Sequence, residues 1–127
     1  PGFLYSVGMP PPVAAASLSA LQTLQREPER VAMLQERGRF FLEQARAAGI
    51  DTGTSTGLAI IPAITGSSIR AARVSAALFE RGINVQPILY PSVPKKSVRL
   101  RFFISCQHTE AQIRRTTQAV AEEFERF

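Results

Sequence analysis

One run of nine residues, Val98-Arg-Leu-Arg-Phe-Phe-Ile-Ser-Cys106, constrains the fold of the whole chain. Val98, Leu100, Phe102 and Ile104 alternate with Arg99, Arg101, Phe103 and Ser105. Neighbouring side chains on a strand point to opposite faces, so this is a strand with one apolar face and one face carrying two arginines. The apolar face must be covered by other elements. A guanidinium fork grips a carboxylate through two parallel hydrogen bonds, which an ammonium cannot do, so the other face is a candidate anion site. Residue type alone favours a plainer reading, because an arginine on a strand more often ends in a surface ion pair. Which of Arg99 and Arg101 reaches a ligand depends on register.

The surrounding chain supplies what such a strand needs. Residues 84–89 form a short β-branched and apolar run, and Pro87 within it cannot donate to a ladder, which places it at a sheet edge. Pro91 and Pro94 stiffen the loop between these two strands. Earlier, Gly8-Met-Pro-Pro-Pro12 breaks the chain, and Pro12 suits the first turn of an alanine-rich helix over 13–25 with Ala14, Leu18, Leu21 and Leu24 on one side. Pro28 starts a second helix reaching about residue 48, with Val31, Leu34, Gly38, Phe41 and Ala45 as its buried stripe and Gly49 as its cap. The near-continuous apolar run 58–65 predicts a buried strand. Ser67 or Ser68 caps a helix over 69–81 with Ala71, Val74, Ala77 and Leu78 inside. Thr109 and Gln112 fit a capping box for a last helix, with Ile113, Thr117, Val120 and Phe124 inward and Glu122, Glu123 and Glu125 in water. The order α-α-β-α-β-β-α predicts an α+β two-layer sandwich: a small, mainly antiparallel sheet covered by helices.

Several function classes are disfavoured. The length suits one domain with a real core. A net charge of +5 raises nucleic acid as a partner. However, the arginines are interspersed with glutamates, as in Arg26-Glu-Pro-Glu-Arg30, which reads as a solvated face. No apolar run is long enough to span a bilayer, and the start has no signal-peptide pattern. The lone Cys106, placed in a strand, reads as a buried reduced thiol of a cytoplasmic protein. Asp51-Thr-Gly-Thr-Ser55 matches the aspartic-protease signature, but it follows a helix rather than an apolar strand, in a helix-rich chain. A start at Pro1 without methionine suits a fragment or a processed chain.

A longer pattern runs through Gly82, Val85, Pro91-Ser-Val-Pro94, Arg99-Leu-Arg101 and His108-Thr109. It resembles the carboxyl-terminal small domain of the α-oxoamine synthases, pyridoxal-phosphate (PLP) enzymes of aminotransferase class I/II. This is the family of 8-amino-7-oxononanoate synthase, glycine C-acetyltransferase, 5-aminolevulinate synthase and serine palmitoyltransferase. The resemblance extends over nearly the whole chain, with 1–26 as a leading segment and linking helix and 27–127 as the small domain. It implies a homodimer that condenses an amino acid with an acyl thioester, usually acyl-CoA. Arg101 then grips the amino-acid carboxylate, and Ser92 stands at the mouth of the active site. Ser6 reaches the cofactor phosphate of the neighbouring subunit, although Gly8 replaces a polar residue that members often carry two positions later. His108 takes a structural role.

The chemistry of such an enzyme needs a lysine to hold the cofactor. Lys95 and Lys96 are the only lysines, side by side in an open loop, and neither matches the family's lysine. This chain by itself is therefore expected to be inactive. A different class of function also fits the residues: a non-catalytic α+β binding module using Arg99 and Arg101 for an anionic partner.

Overall fold

The computed structural model describes residues 8–127. They divide between Ala32 and Met33 into two compact units. In the first, helix α1 (Pro11–Arg26) opens with prolines at its first two positions, where no intrahelical N–H is required. None of its residues is buried, and the expected stripe of Leu18, Leu21 and Leu24 stands exposed. Helix α2 (Glu29–Ala47) buries Gly38, Phe41, Leu42 and Ala45. Val31, expected in that stripe, is exposed. Gly49 ends the helix at φ +74°, a conformation that costs glycine nothing.

The second unit is built on a three-stranded antiparallel sheet: β1 (Ile60–Ile64), β2 (Gln86–Ile88) and β3 (Arg99–Phe103), in the order β1-β3-β2. β3 is central because it alone satisfies a ladder on both sides. Arg101 lies opposite Pro62 on one flank and Gln86 on the other. The amide of Ile104 bonds Ala59 O at 2.7 Å, so the backbone N–H and C=O groups of even-numbered β3 residues point to β1 and those of odd-numbered ones to β2. That phase turns Pro62 and Pro87 outward on the two edge strands, where a missing N–H removes a donor that another chain could use. Pro87 thus marks an edge, as its chemistry requires. β1 differs from the expectation: it is an edge strand, with Ile61 and Ala63 buried but Ile60 half exposed. Its uniform apolar run reflects two apolar faces, of which the helices cover one.

The covered face carries Val98, Leu100, Phe102 and Ile104, all buried. Against it pack Phe41 of α2, whose ring stands 5.1 Å from that of Phe102, Val74 and Leu78 of α3 (Ser68–Glu80), and Ile113 and Val120 of α4 (Glu110–Arg126). Ser67 caps α3 by accepting from the Arg70 amide. At α4 the capping box is complete: the Thr109 amide donates to Gln112 Oε1 at 2.9 Å, and the Gln112 amide donates to Thr109 Oγ1 at 3.2 Å. Thr109→Ala removes one half of this exchange and should destabilise the unit by about 1 kcal/mol. In a thermal melt that is a drop of about 5 °C.

Two side chains stand elsewhere than expected. Glu123 is buried rather than in water, because Arg81 of the α3 C-terminus reaches across to it at 3.1 Å. Cys106 lies in the turn after β3, partly buried, because the strand ends at Phe103.

Candidate functional site: the arginine face of the sheet

The helices leave the second face of the sheet open. Arg99, Arg101 and Phe103 project from it, with Phe103 of β3 and Ile60 of β1 both more than half unburied or nearly so. This follows directly from the alternation, since burying one face of a central strand presents the other.

Partner bonds single out Arg101. Five described arginines are partly buried: Arg37, Arg70, Arg81, Arg99 and Arg101. Arg37 pairs with Glu110 at 3.2 Å, and Arg81 pairs with Glu122 at 2.7 Å. Arg70 donates to Phe124 O at 2.6 Å, and Arg99 Nε donates to Ser97 O at 2.7 Å. Among the described residues Arg101 has no hydrogen bond or ion pair. Its donors are engaged by no other described side chain or backbone group, which leaves the whole fork available to an anion.

Arg99 and Arg101 share a face but open onto different recesses. Arg101 lines one of about 430 Å³, floored by Phe41, Phe102 and Ile113 and rimmed by Gln86, His108, Gln112 and Arg115. Arg99 lines another of about 450 Å³, formed with residues 53–56 and the start of β1. Each arginine therefore opens onto its own recess.

The other candidates are placed as follows. Ser92 is exposed in the loop after the cis Tyr90–Pro91 peptide and lines neither recess. Ser6 lies outside the described residues. His108 accepts the Ser105 amide at Nδ1, 3.0 Å away, which closes the turn into α4; the expected structural role has a concrete bond. Arg115 lines the Arg101 recess without having been singled out, and Gln112 lines it besides capping α4, because nothing in the pattern of α4 tells which strand end its first turns will meet. The protease-like motif is an ordinary turn. Asp51 Oδ1 accepts the Gly53 amide at 2.8 Å, and Arg46 ties the loop down through Thr52 and Ser55 O.

Lys95 and Lys96 sit exposed in a 3₁₀ turn (Lys95–Ser97), with the Lys95 ammonium 5.5 Å over the Tyr90 ring. Among the described residues no cluster of His, Cys, Asp and Glu could hold a metal ion. The displaced titrations belong to the Arg81–Glu122 ion pair, neither member of which lines a recess. The hydrogen bond from Arg81 holds the Glu122 carboxyl below the usual carboxylate range, helped by Gln118. Glu122 and then Glu123 in turn hold Arg81 above its ordinary value.

Fold and site together define an α+β domain that presents arginines on an open sheet face. Residues 1–120 match the family of aminotransferase class I and II, and the chain belongs to it. The relatives are those the motif resembles. The 8-amino-7-oxononanoate synthase of Symbiobacterium thermophilum is 38% identical over 120 residues, covering 94% of this chain and 30% of that protein. The same enzyme of Stutzerimonas stutzeri is 41% identical with the same coverage. Among solved structures, a variant serine palmitoyltransferase from S. paucimobilis, bound to PLP and myriocin, superposes with a TM-score of 0.84 at 25% identity, covering 96% of this chain and 31% of its own. The 8-amino-7-oxononanoate synthase of Francisella tularensis gives 0.80 at 25% identity, covering 96% and 35%. The chain thus spans about a third of the length of the proteins it matches. Its α+β architecture is that of these enzymes' corresponding part, and its kinship is with the α-oxoamine synthases.

Proposed function

We propose that this chain is the carboxyl-terminal small domain of a PLP-dependent acyltransferase. The reaction condenses an amino acid with an acyl thioester, acyl-CoA, to an α-oxoamine. The observation that carries the reading is Arg101, partly buried on the open face and without a partner among the described residues. Its fork is suited to an α-carboxylate, and the apolar floor beside it strengthens the pairing by excluding water. Fixing that carboxylate also fixes the direction of the bonds at Cα, so the grip orients as well as binds. Ser92 contacts substrate from the loop, and Ser6 meets the cofactor phosphate of a partner subunit in a cytoplasmic homodimer. Residues 27–127 form the domain proper, and 1–26 lead into it.

PLP supplies an electron sink for the carbanion formed at Cα. The described residues do not fit the lysine end of a PLP site, since both lysines are exposed. The isolated chain is then inactive.

The test uses the chain as purified: PLP is added, the mixture is reduced with borohydride, and intact mass and peptide maps are taken. Only scattered, substoichiometric labelling of Lys95 and Lys96 is expected. A clean one-to-one adduct at a single lysine would place the cofactor in this chain and sink the reading.

A further inference from the structure

The second recess has no part in the reading above. Its polar side is the Arg99 guanidinium with the residues of the 53–56 turn, Gly53, Thr54, Ser55 and Thr56. Its other wall is apolar: Leu58, Ile60 and Pro62. Leu58, just before β1, is 55% exposed and Ile60, at its start, 50% exposed, so this wall offers bare aliphatic surface. The guanidinium is set in place rather than free to swing, because Nε donates to Ser97 O at 2.7 Å. The two Nη groups then have no partner among the described residues, and neither do the hydroxyls of Thr54 and Thr56. The turn that carries these hydroxyls is itself anchored, by the bond from Arg46 to Ser55 O at 3.0 Å and by the Asp51 carboxylate. No acidic side chain lines the cavity.

We propose that this recess is a second ligand subsite, for an oxyanion carried on an alkyl chain. The Nη pair of Arg99 and the hydroxyls of Thr54 and Thr56 take the oxyanion, and Leu58, Ile60 and Pro62 take the chain. A fork fixed at Nε loses little freedom on binding, so each new bond contributes more than it would from a mobile side chain. A volume of about 450 Å³ suits a chain of several methylenes plus its head group. Resting on the proposed acyl transfer, the subsite belongs to the acyl donor, and it lies two residues along β3 from the carboxylate grip at Arg101. The oxyanion has two possible sources in such a donor, a carboxylate at the far end of the acyl chain or a phosphate of the thioester carrier.

The experiment is a titration of the ¹⁵N-labelled chain with octanoate, octanamide and 4′-phosphopantetheine, followed at the amides of residues 53–60. One of the two anions should shift these amides saturably, and octanamide should bind at least about tenfold more weakly, since a charge-assisted pair is lost. Octanoate binding assigns the oxyanion to the acyl chain, and phosphopantetheine binding assigns it to the carrier. Arg99→Gln should weaken the effective anion by about tenfold and Arg99→Lys by less. Arg101→Gln should leave it within about twofold, because separate sites act additively. Failure of both anions, equal binding of octanamide, or shifts confined to residues 82–86 and 108–116 would overturn the proposal. The wild-type arms decide the matter even if a variant does not fold. A failure here leaves the amino-acid grip of Arg101 untouched, because that is read with a different ligand in a different cavity.

Discussion

Arg101→Ala in the complete enzyme should lower kcat/KM for the amino acid by about 10- to 100-fold. The estimate follows from removing hydrogen bonds to a charged group, worth about 1.5–3 kcal/mol, at about 1.4 kcal/mol per tenfold. Two features push toward the upper part of that range. The guanidinium has no protein partner among the described residues that could compete for it, so its bonds to a carboxylate are not exchanged for lost internal ones. The cavity it lines is floored by Phe41, Phe102 and Ile113, which lowers the local dielectric. Steady-state kinetics should show both a raised KM and a reduced kcat. Binding alone would change only KM, whereas a grip that sets the direction of the Cα bonds is also felt in the chemical step. Arg101→Lys, keeping the charge without the fork, should recover binding more than turnover. The KM for the acyl donor should change little. An amino-acid kcat/KM within twofold of the parent would remove Arg101 from the site.

The residues that made this legible are those whose signal is local. The alternation from Val98 to Ile104 encodes its own partition into a covered and an open face, because strand geometry leaves it no other. Pro87 announced an edge, and Thr109 with Gln112 announced a helix start, since both are statements about a few backbone N–H groups. What stayed hidden depends on contacts distant in sequence. The run 58–65 has no local mark that distinguishes two buried faces from one buried face and one that is apolar but open. Glu123 reads as solvent-facing until Arg81, 42 positions earlier, is found to reach it. The separate cavities of Arg99 and Arg101 arise because each borrows its walls from different elements: the 53–56 turn for one and the start of α4 for the other. No period within β3 carries that information.

A glycine on the inner face of α2 carries the largest stability effect expected of a single methyl group. Gly38→Ala should destabilise the second unit by about 2 kcal/mol or more, against the usual gain of about 1 kcal/mol for replacing a helical glycine by alanine. The helix backbone at Gly38 lies directly on the 57–58 loop. A Cβ there would press on the carbonyl oxygen of Leu58 and stand 2.5 Å from that of Gly57 and 2.9 Å from the Leu58 carbonyl carbon. These are backbone atoms, so no side chain can rotate away to make room. The loop cannot readily retreat either. Gly57 holds φ +77°, and even a Cβ placed on it would stand only 3.1 Å from Arg39 Cα and Leu42 Cδ2, so there is little room on that side. The strain must therefore move α2 or the loop, and both matter. α2 brings Phe41 onto Phe102 beneath the Arg101 recess, and the loop leads through Leu58 into β1 and the wall of the Arg99 recess. Urea denaturation should show a lower midpoint with an unchanged slope, and the thermal midpoint should fall by roughly 10 °C. A variant as stable as the parent would mean that α2 does not pack this closely on the loop, and the geometry given for both recesses would then have to be redrawn.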